Sequence, residues 1–252
     1  MEISLITYLI VCPLVFLGGF VDAIAGGGGL ITLPAYLLAG VPVHNALATN
    51  KLSSVMGASV SAFRFWKNRF VDISFILPSI VAALIGSAIG ARITLLVPGR
   101  FLEYLLMAVL PLTAYMVFKP KSLSETPDES ISRRKGMVLA AIISFIVGGY
   151  DGFYGPGTGT FLVLLYSSVA GMDVRNASGG AKMVNFASNI SAFVLFLLSG
   201  KTLVALGLTA AVFSIAGHWF GAGLAIKKGS RIVRPVVLVV LALLLLKIIS
   251  GR

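Results

Sequence analysis

The chain has 252 residues, of which 58% are hydrophobic and only 12% are charged, and its formal net charge is +11. Soluble globular domains are about half apolar and about a quarter charged, so this composition excludes that class and indicates an integral membrane protein. Nucleic-acid binding is not expected, because the stripe of basic and aromatic residues that single-strand binders use is missing. We assign the positive charge to cytoplasmic loops and to contacts with anionic lipids.

Apolar stretches long enough to cross a bilayer follow one another along the chain. About 20 apolar residues span the hydrocarbon core as a helix, whereas barrel strands would be about ten residues long and alternating. We therefore predict an all-α integral membrane fold with about eight long apolar segments. These segments lie at residues 5–25, 44–66, 73–96, 101–118, 137–155, 176–199, 203–226 and 232–250.

The first apolar stretch contains the sequence GGFVDAIAGGGGLITLP at residues 18–34, which places an acid and four consecutive glycines where a membrane helix is expected. The apolar residues 29–40 that follow are too few to cross a hydrocarbon core about 30 Å thick, because a helix rises only about 1.5 Å per residue. We therefore predict a re-entrant hairpin. Residues 5–25 enter the membrane, the glycines turn, and residues 29–40 return to the same face.

A second copy of this pattern occurs farther along the chain. The sequence GGYDGFYGPGTGT at residues 148–160 aligns with the first copy and matches Asp151 to Asp22. The segments TNKLSSVMGASVSAF and GAKMVNFASNISAF then match Lys51 to Lys182 at nearly the same spacing. Internal repeats of this kind are common in transporters, so we predict two homologous halves.

The repeat also defines the domain organisation. GSAIGA (86–91) and GHWFGA (217–222), which we assign to close helix packing, keep the spacing of the lysines, as do Arg100 and Arg231. Residues 119–136 between the halves are polar and rich in Ser, Pro and charge, which indicates a solvated loop. We predict a first transmembrane repeat at residues 1–118, a linker loop at 119–136 and a second repeat at 137–252.

The number of crossings in each half predicts how the halves are oriented. One hairpin and three spans make an odd number, so the second half is expected to be inverted relative to the first. Charge favours this arrangement, because it collects more of the loop Lys and Arg on one side of the membrane than eight plain spans would. It places both termini outside the cell and the 119–136 loop in the cytoplasm.

Inverted hairpins would bring the two glycine-rich tips together near the middle of the membrane. Broken helices there present N-termini whose free N–H groups and dipole attract anions. Glycine permits close approach to a ligand, and a proline and a threonine add a stiff corner and a hydroxyl donor. The alternative is that the glycines serve only helix packing. The predicted anion-binding residues of the tips are Gly26, Gly27, Gly28, Gly29, Gly155, Pro156, Gly157, Thr158 and Gly159.

Two lysines lie at matching positions inside long spans, where a charge costs at least about 2.5 to 3.5 kcal/mol unless it faces a cavity or a partner. We assign Lys51 and Lys182 to substrate binding, with snorkelling to the membrane surface as the alternative. Asn50 and Asn185, and Asn189 one turn farther on, are expected to donate amide hydrogens to the anion. Ordinary hydrogen bonding between helices is the alternative for the asparagines.

Asp22 and Asp151 are the acids that recur at the same depth in both halves. They either form buried ion pairs with the two lysines or one of them carries a coupling proton. His44 and His218 are too few and too scattered for a metal site. Neither an HExxH nor a Walker sequence is present, so we expect no catalytic residue, no metal, no cofactor and no enzyme activity.

The sequence resembles a known family. GGFVDAIAGGGGLITLP followed by ALATNKL (46–52), with the degenerate copies GGYDGFYGPGTGTFLV and GGAKMVN (179–185), is similar to the TauE/SafE family of sulfite and organosulfonate exporters over essentially the whole chain. The resemblance implies a multi-pass permease of a prokaryotic inner membrane that moves small anions, such as sulfite or sulfoacetate, outward. It also implies that the glycine-rich motifs and the lysine segments form the pathway.

Two other functions stay open beside anion export. A cation permease would be expected to carry more membrane carboxylates than Asp22 and Asp151. A non-transporting scaffold or receptor subunit would not need buried lysines in both halves. We expect alternating access around a midplane site, with ion-gradient coupling or passive efflux. The expected partners are the small anion and anionic lipids at the basic cytoplasmic loops, and a homodimer is left open.

Overall fold

The computed structural model describes residues 4–99, 101–102 and 126–228. Within these residues the secondary structure is helical and contains no strand. The prediction of an all-α fold is therefore confirmed for this part of the chain. The helices are α1 (Leu5–Ala25), α2 (Gly29–Leu38), α3 (Val43–Lys67), α4 (Ile73–Leu96), α5 (Arg133–Phe153), α6 (Thr158–Ser168), α7 (Val174–Leu198) and α8 (Val204–Lys228).

Five helices in the described part of the chain, α1, α4, α5, α7 and α8, are long and apolar enough to cross a membrane. Helix α3 has the necessary length, 25 residues, but is more polar, because its buried side chains include Lys51 and Ser53. The predicted apolar span at 44–66 is thus a helix that keeps polar groups inside the protein. The predicted segments at 101–118, apart from Phe101 and Leu102, and at 232–250 lie outside the described residues, as do Arg100 and Arg231.

Each half contains a helix that breaks and continues as a short helix. Helix α1 has 21 residues and α2 has 10, while α5 has 21 and α6 has 11. Helix α1 ends at Ala25, and its C-cap residue Gly26 has a positive φ of 82° that turns the chain out of the helix while its N–H donates to the carbonyl of Asp22. The second break contains Gly155, with a φ of 99°. Both breaks therefore fall at the glycines that the sequence predicted.

The first helix of each half packs against the last described helix of the other half, α1 on α8 and α5 on α4. Helices α3 and α7 contact each other between these pairs. Backbones approach closely at the small-residue motifs: a Cβ added to Gly86 would lie 2.2 Å from the carbonyl oxygen of Phe145, and one added to Gly217 would lie 2.2 Å from that of Phe16. Both motifs thus lie at close helix contacts, the role that we assigned to them.

We expect Gly90→Ala to lower the melting temperature of the protein. The new Cβ would lie 2.0 Å from the carbonyl oxygen of Gly149, so α4 and α5 would have to separate, and overpacking of this kind costs about 1 to 3 kcal/mol. Gly149→Ala is the matched control, because its Cβ would meet its nearest neighbour at 3.6 Å, an ordinary contact. Thermal unfolding in detergent, followed by tryptophan fluorescence, measures the effect. Equal melting temperatures for the two variants would contradict the close packing described here.

One group of helix ends is joined by polar contacts around the start of α5. Arg133 donates to the carboxylate of Asp72, just before α4, at 2.8 Å. The N–H of Asp128 donates to the carbonyl of Gly171, between α6 and α7. Helix α5 begins at Arg133 because the side chain of Ser132 caps it, so the last residues of the predicted 119–136 loop are helical. Residues 119–125 of that loop lie outside the described part of the chain.

A second group of helix ends lies around the start of α3. The side chain of Asn45 donates to the carbonyl of Lys201, between α7 and α8, at 2.8 Å. The ring of His44 lies with its Nε2 3.1 Å from the carbonyl oxygen of Val97, where α4 ends. The end of α2 belongs to this group as well, because only residues 39–42 separate it from α3.

Candidate functional site

The two glycine-rich breaks contact each other. The hydroxyl of Thr160 donates to the carbonyl of Ala25 at 2.8 Å, and the N–H of Thr160 donates to the carbonyl of Gly26 at 3.3 Å. A Cβ added to Gly26 would lie 2.2 Å from the carbonyl carbon of Gly159. Glycine is required at position 26 by both this contact and the positive φ. The two glycine-rich breaks are therefore packed directly against each other and joined by hydrogen bonds.

Two buried ion pairs join the halves near these breaks. The Nζ of Lys51, on α3, lies 2.9 Å from Oδ2 of Asp151, on α5. The Nζ of Lys182, on α7, lies 3.8 Å from Oδ2 of Asp22, on α1, and also donates to the carbonyl of Asp22. Lys51 is 3% exposed and Lys182 is 1% exposed. Each lysine thus pairs with the aspartate of the other half.

The aspartates have further partners, which differ between the halves. The carboxylate of Asp22 accepts from the N–H of Gly28, at the start of α2, at 3.1 Å, and Nε2 of His218 lies 3.3 Å from it. The carboxylate of Asp151 instead accepts from the hydroxyl of Ser188 at 2.7 Å. One N–H at the start of α2 is therefore already bonded to a carboxylate of the protein itself.

A small cavity lies at the breaks and is lined by residues from both glycine-rich segments. It includes both aspartates but only one of the two lysines, because the Lys182 ammonium is enclosed behind Asp22. Of the residues that the sequence predicted for the site, those that line this cavity are Asp22, Gly28, Gly29, Asn50, Lys51, Asp151, Gly155 and Asn185.

The other predicted site residues lie beside the cavity and shape the breaks. The hydroxyl of Thr158 donates to the carbonyl of Gly155 at 2.6 Å, and the carbonyl of Pro156 accepts from the hydroxyl of Tyr150 at 2.6 Å. These contacts hold the second turn in place. The predicted residues outside the cavity lining are Gly26, Gly27, Pro156, Gly157, Thr158, Gly159 and Lys182.

Several residues that line the cavity were not among the predicted site residues. His218 is the most informative of them, because the sequence analysis assigned its motif, GHWFGA, to packing. A titratable side chain within an apolar helix, at a position that Ser87 occupies in the first half, was the signal that could have identified it. The unpredicted residues of the lining are Val15, Gly18, Gly19, Thr32, Ser53, Ser54, Ser214 and His218, and Asn189, which the sequence analysis named beside Asn185, lines the cavity as well.

Two polar groups in the cavity wall have no hydrogen-bond partner within the described structure. They are Oγ1 of Thr32 and Oδ1 of Asn50, both buried. A buried polar atom without a partner costs about 1 to 3 kcal/mol, so such atoms indicate the presence of a ligand or water in the working protein. The cavity therefore offers a charged donor, Lys51, beside polar groups that can bond a small hydrophilic molecule.

Membrane-spanning helices that break around a buried, charged cavity are typical of a multi-pass membrane transporter. Comparison with known families gives the particular group. A family model described as sulfite exporter TauE/SafE matches residues 11–248. The chain belongs to this family.

Curated relatives agree with this membership. The chain is 35% identical over 241 residues to a probable membrane transporter protein of Haemophilus influenzae, covering 94% of this chain and 92% of the relative. It is 36% identical over 234 residues to the probable membrane transporter protein YfcA of Escherichia coli K12, covering 92% and 86%. A relative from Sinorhizobium, probable membrane transporter protein ORF9, is 33% identical over 236 residues, covering 93% and 89%. No solved structure matches the chain.

Proposed function

We propose that this transporter exports small anions, sulfite or organosulfonates in particular, across a bacterial inner membrane. The observation that carries the proposal is the position of Lys51, a buried ammonium in the wall of a cavity. An ammonium group has three N–H donors, and Asp151 accepts from one of them. The remaining donors are suited to the oxygens of a sulfite or sulfonate group.

The start of α2 supports the same proposal. Gly28 and Gly29 line the cavity. The N–H groups of Leu30 and Ile31 donate to the carbonyls of Gly27 and Gly28, which leaves the Gly29 N–H of the first turn to face the cavity. The helix dipole adds a partial positive charge at this end. Asp22 accepts from the Gly28 N–H, so the anion would be bound by the Gly29 N–H together with Lys51 and the unpartnered hydroxyl of Thr32.

We also propose that the halves are inverted relative to each other and alternate access to this cavity. The grouping of the helix ends supports this arrangement. The α1–α2 hairpin opens toward the group of ends around Asn45, whereas the α5–α6 hairpin opens toward the group around Arg133. Hairpins that open to opposite faces and meet at their tips place a single site between two potential gates.

The topology gives a direct prediction. In a background in which Cys12 is replaced by alanine, Lys201→Cys is expected to react with an impermeant thiol reagent in whole cells, whereas Glu129→Cys is expected to react only after the cells are opened. The two positions belong to opposite groups of helix ends, and both are exposed. Labelling of Glu129→Cys in intact cells would contradict a cytoplasmic linker. Labelling of both or of neither would contradict the inverted arrangement.

Substrate binding is tested by thermal unfolding of the purified protein with sulfite, sulfoacetate, taurine, isethionate, sulfate and short carboxylates. A ligand at 100 times its dissociation constant stabilises the folded state by about 2.7 kcal/mol, which gives a clear rise in melting temperature. We expect sulfite or sulfonates to give the largest rise in melting temperature. The anions that stabilise the protein are then tested for flux in proteoliposomes. Stabilisation by cations alone would favour a cation permease. No flux of any solute would favour a scaffold or receptor subunit.

A further inference from the structure

The two ion pairs stand at matching positions but have different neighbours. The spacing that aligns Lys51 with Lys182 matches His218 to Ser87 and Ser188 to Gly57. Beside Asp151, Ser188 donates to the carboxylate, and Ser87 donates to the carbonyl of Ser188. Beside Asp22, the corresponding places hold the imidazole of His218 and a glycine. At these two places the Lys51–Asp151 pair therefore has serines, whereas the Lys182–Asp22 pair has a histidine.

Small residues on the neighbouring helices make room for the imidazole of His218. A Cβ added to Gly57 would lie 2.3 Å from Nδ1 of His218, and one added to Gly19 would lie 2.7 Å from the same atom. The ring is 3% exposed and belongs to the cavity wall. Three helices thus enclose it: α8, which carries it, and α1 and α3, which contribute the glycines. A larger residue at either glycine would displace the ring.

Both nitrogens of this ring face oxygens that accept hydrogen bonds. Nδ1 lies 2.9 Å from the carbonyl oxygen of Ser214, and Nε2 lies 3.3 Å from Oδ2 of Asp22. A neutral imidazole carries a hydrogen on only one nitrogen. Asp22 also accepts from the Gly28 N–H and lies beside Lys182, and both neighbours favour its ionised form. The Ser214 hydroxyl, 3.4 Å from Nδ1, can donate to a neutral ring. A protonated His218 would instead donate to the carbonyl of Ser214 and to the carboxylate of Asp22, so the ring is placed to accept a proton beside that carboxylate.

The charges around the cavity indicate how a proton on His218 would change the net charge of the site. The groups that face His218 and the cavity are Asp22 from α1, Lys51 from α3, Asp151 from α5 and, behind Asp22, Lys182 from α7. These two lysines and two aspartates cancel. Without the proton the site has no net charge to balance an anion, and with it the site carries one positive charge. A monovalent anion and one proton together restore neutrality.

We propose that His218, held against Asp22, is the proton-binding site of this transporter and that one proton binds together with each monovalent anion. This inference rests on the proposed anion transport and names its coupling ion. Transport of a sulfonate with one proton is electrically neutral, so the flux follows the pH gradient and the substrate gradient but not the membrane voltage. Asp22 holds the imidazolium in place and is not itself the group that gains the proton.

The test uses isethionate and methanesulfonate, whose sulfonate groups stay ionised across the range from about pH 5 to 8 in which histidine titrates. Calorimetric titration of the purified protein in buffers of different ionisation enthalpy gives the number of protons taken up with the anion. We expect about one proton in the alkaline part of this range, where affinity should fall about tenfold per pH unit by linkage. His218→Gln is expected to bind weakly, without proton uptake and without this pH dependence.

The other histidine of the chain provides the matched control. His44 lies outside the cavity lining, so His44→Gln is expected to keep both the proton uptake and the pH dependence. Proton uptake that persists in His218→Gln, or anion binding without proton uptake in the unmodified protein, would overturn the proposal. If neither these sulfonates nor any other anion of the thermal screen binds, the proposed function itself is wrong, which is a distinguishable result.

A second measurement keeps the proposal testable if His218→Gln does not fold. His44→Gln leaves a single histidine in the chain, so the ¹⁵N shifts of that imidazole report His218 alone. With isethionate bound, both ring nitrogens are expected to carry hydrogens at about pH 8, where a free imidazole is neutral. A neutral ring in the anion-bound protein would overturn the proposal.

Discussion

The double variant Lys51→Met, Asp151→Asn is expected to fold but not to bind or transport anions. Lys51→Met alone would strand the carboxylate of Asp151, which is 2% exposed, and breaking a buried pair on one side costs about 3 to 5 kcal/mol. Changing both residues removes both charges and restores most of that loss. The ammonium remains absent, however, so the anion loses a charge-assisted contact that we expect to contribute about 1.5 to 3 kcal/mol.

The comparison of the single and double variants separates stability from binding. Melting temperature in detergent measures the first, and isethionate uptake into proteoliposomes measures the second. Lys51→Met alone should lower both the melting temperature and the isethionate uptake. The double variant should recover the melting temperature but not the uptake. If the double variant transports at the rate of the unmodified protein, Lys51 has a purely structural role and the anion binds elsewhere.

Lys182→Met is expected to show the opposite balance, with a large loss of stability and a small direct loss of anion affinity. Its ammonium donates to the carbonyl of Asp22 and lies 3.8 Å from the carboxylate, behind the cavity wall. Removing it leaves Asp22 with the Gly28 N–H and the His218 imidazole as partners, and loss of one partner from a largely buried charge pair costs up to about 3 to 5 kcal/mol. The double variant Lys182→Met, Asp22→Asn is expected to regain the melting temperature and to keep measurable isethionate binding.

The two double variants are controls for each other, because both remove one lysine and one aspartate from related positions. Calorimetry with isethionate at the same acidic pH compares the affinities of the two double variants. A loss of binding that is equal in the two would show that both lysines contact the anion, as the sequence alone suggested. A greater loss at Lys51 would show that the site is asymmetric.

Local pattern was sufficient to predict the helix breaks. Four consecutive glycines inside an apolar stretch disfavour a continuous helix. In the structure the helix is interrupted there, at Gly26, and again at the matching Gly155. The motifs GSAIGA and GHWFGA were likewise assigned to close packing from their small residues. These inferences depend on residues that are neighbours along the chain, which the sequence displays directly.

Contacts between the halves could not be predicted in the same way. The matching of Lys51 with Lys182 shows equivalent positions but not partners, and the crossed pairing arises because α3 and α7 meet between the other helices. The sequence also predicted an apolar span at residues 44–66. Helix α3 has the length of such a span but is more polar than the five apolar membrane-spanning helices. His218 was overlooked because its motif explained the neighbouring glycines well enough, while its partner, Asp22, is far away in sequence.

The crossed ion pairs have a consequence for how the protein is made. Each half carries one lysine and one aspartate whose partners both belong to the other half. During synthesis the first half therefore enters the membrane with Lys51 and Asp22 unmatched, and its folding is completed only when α5 and α7 arrive.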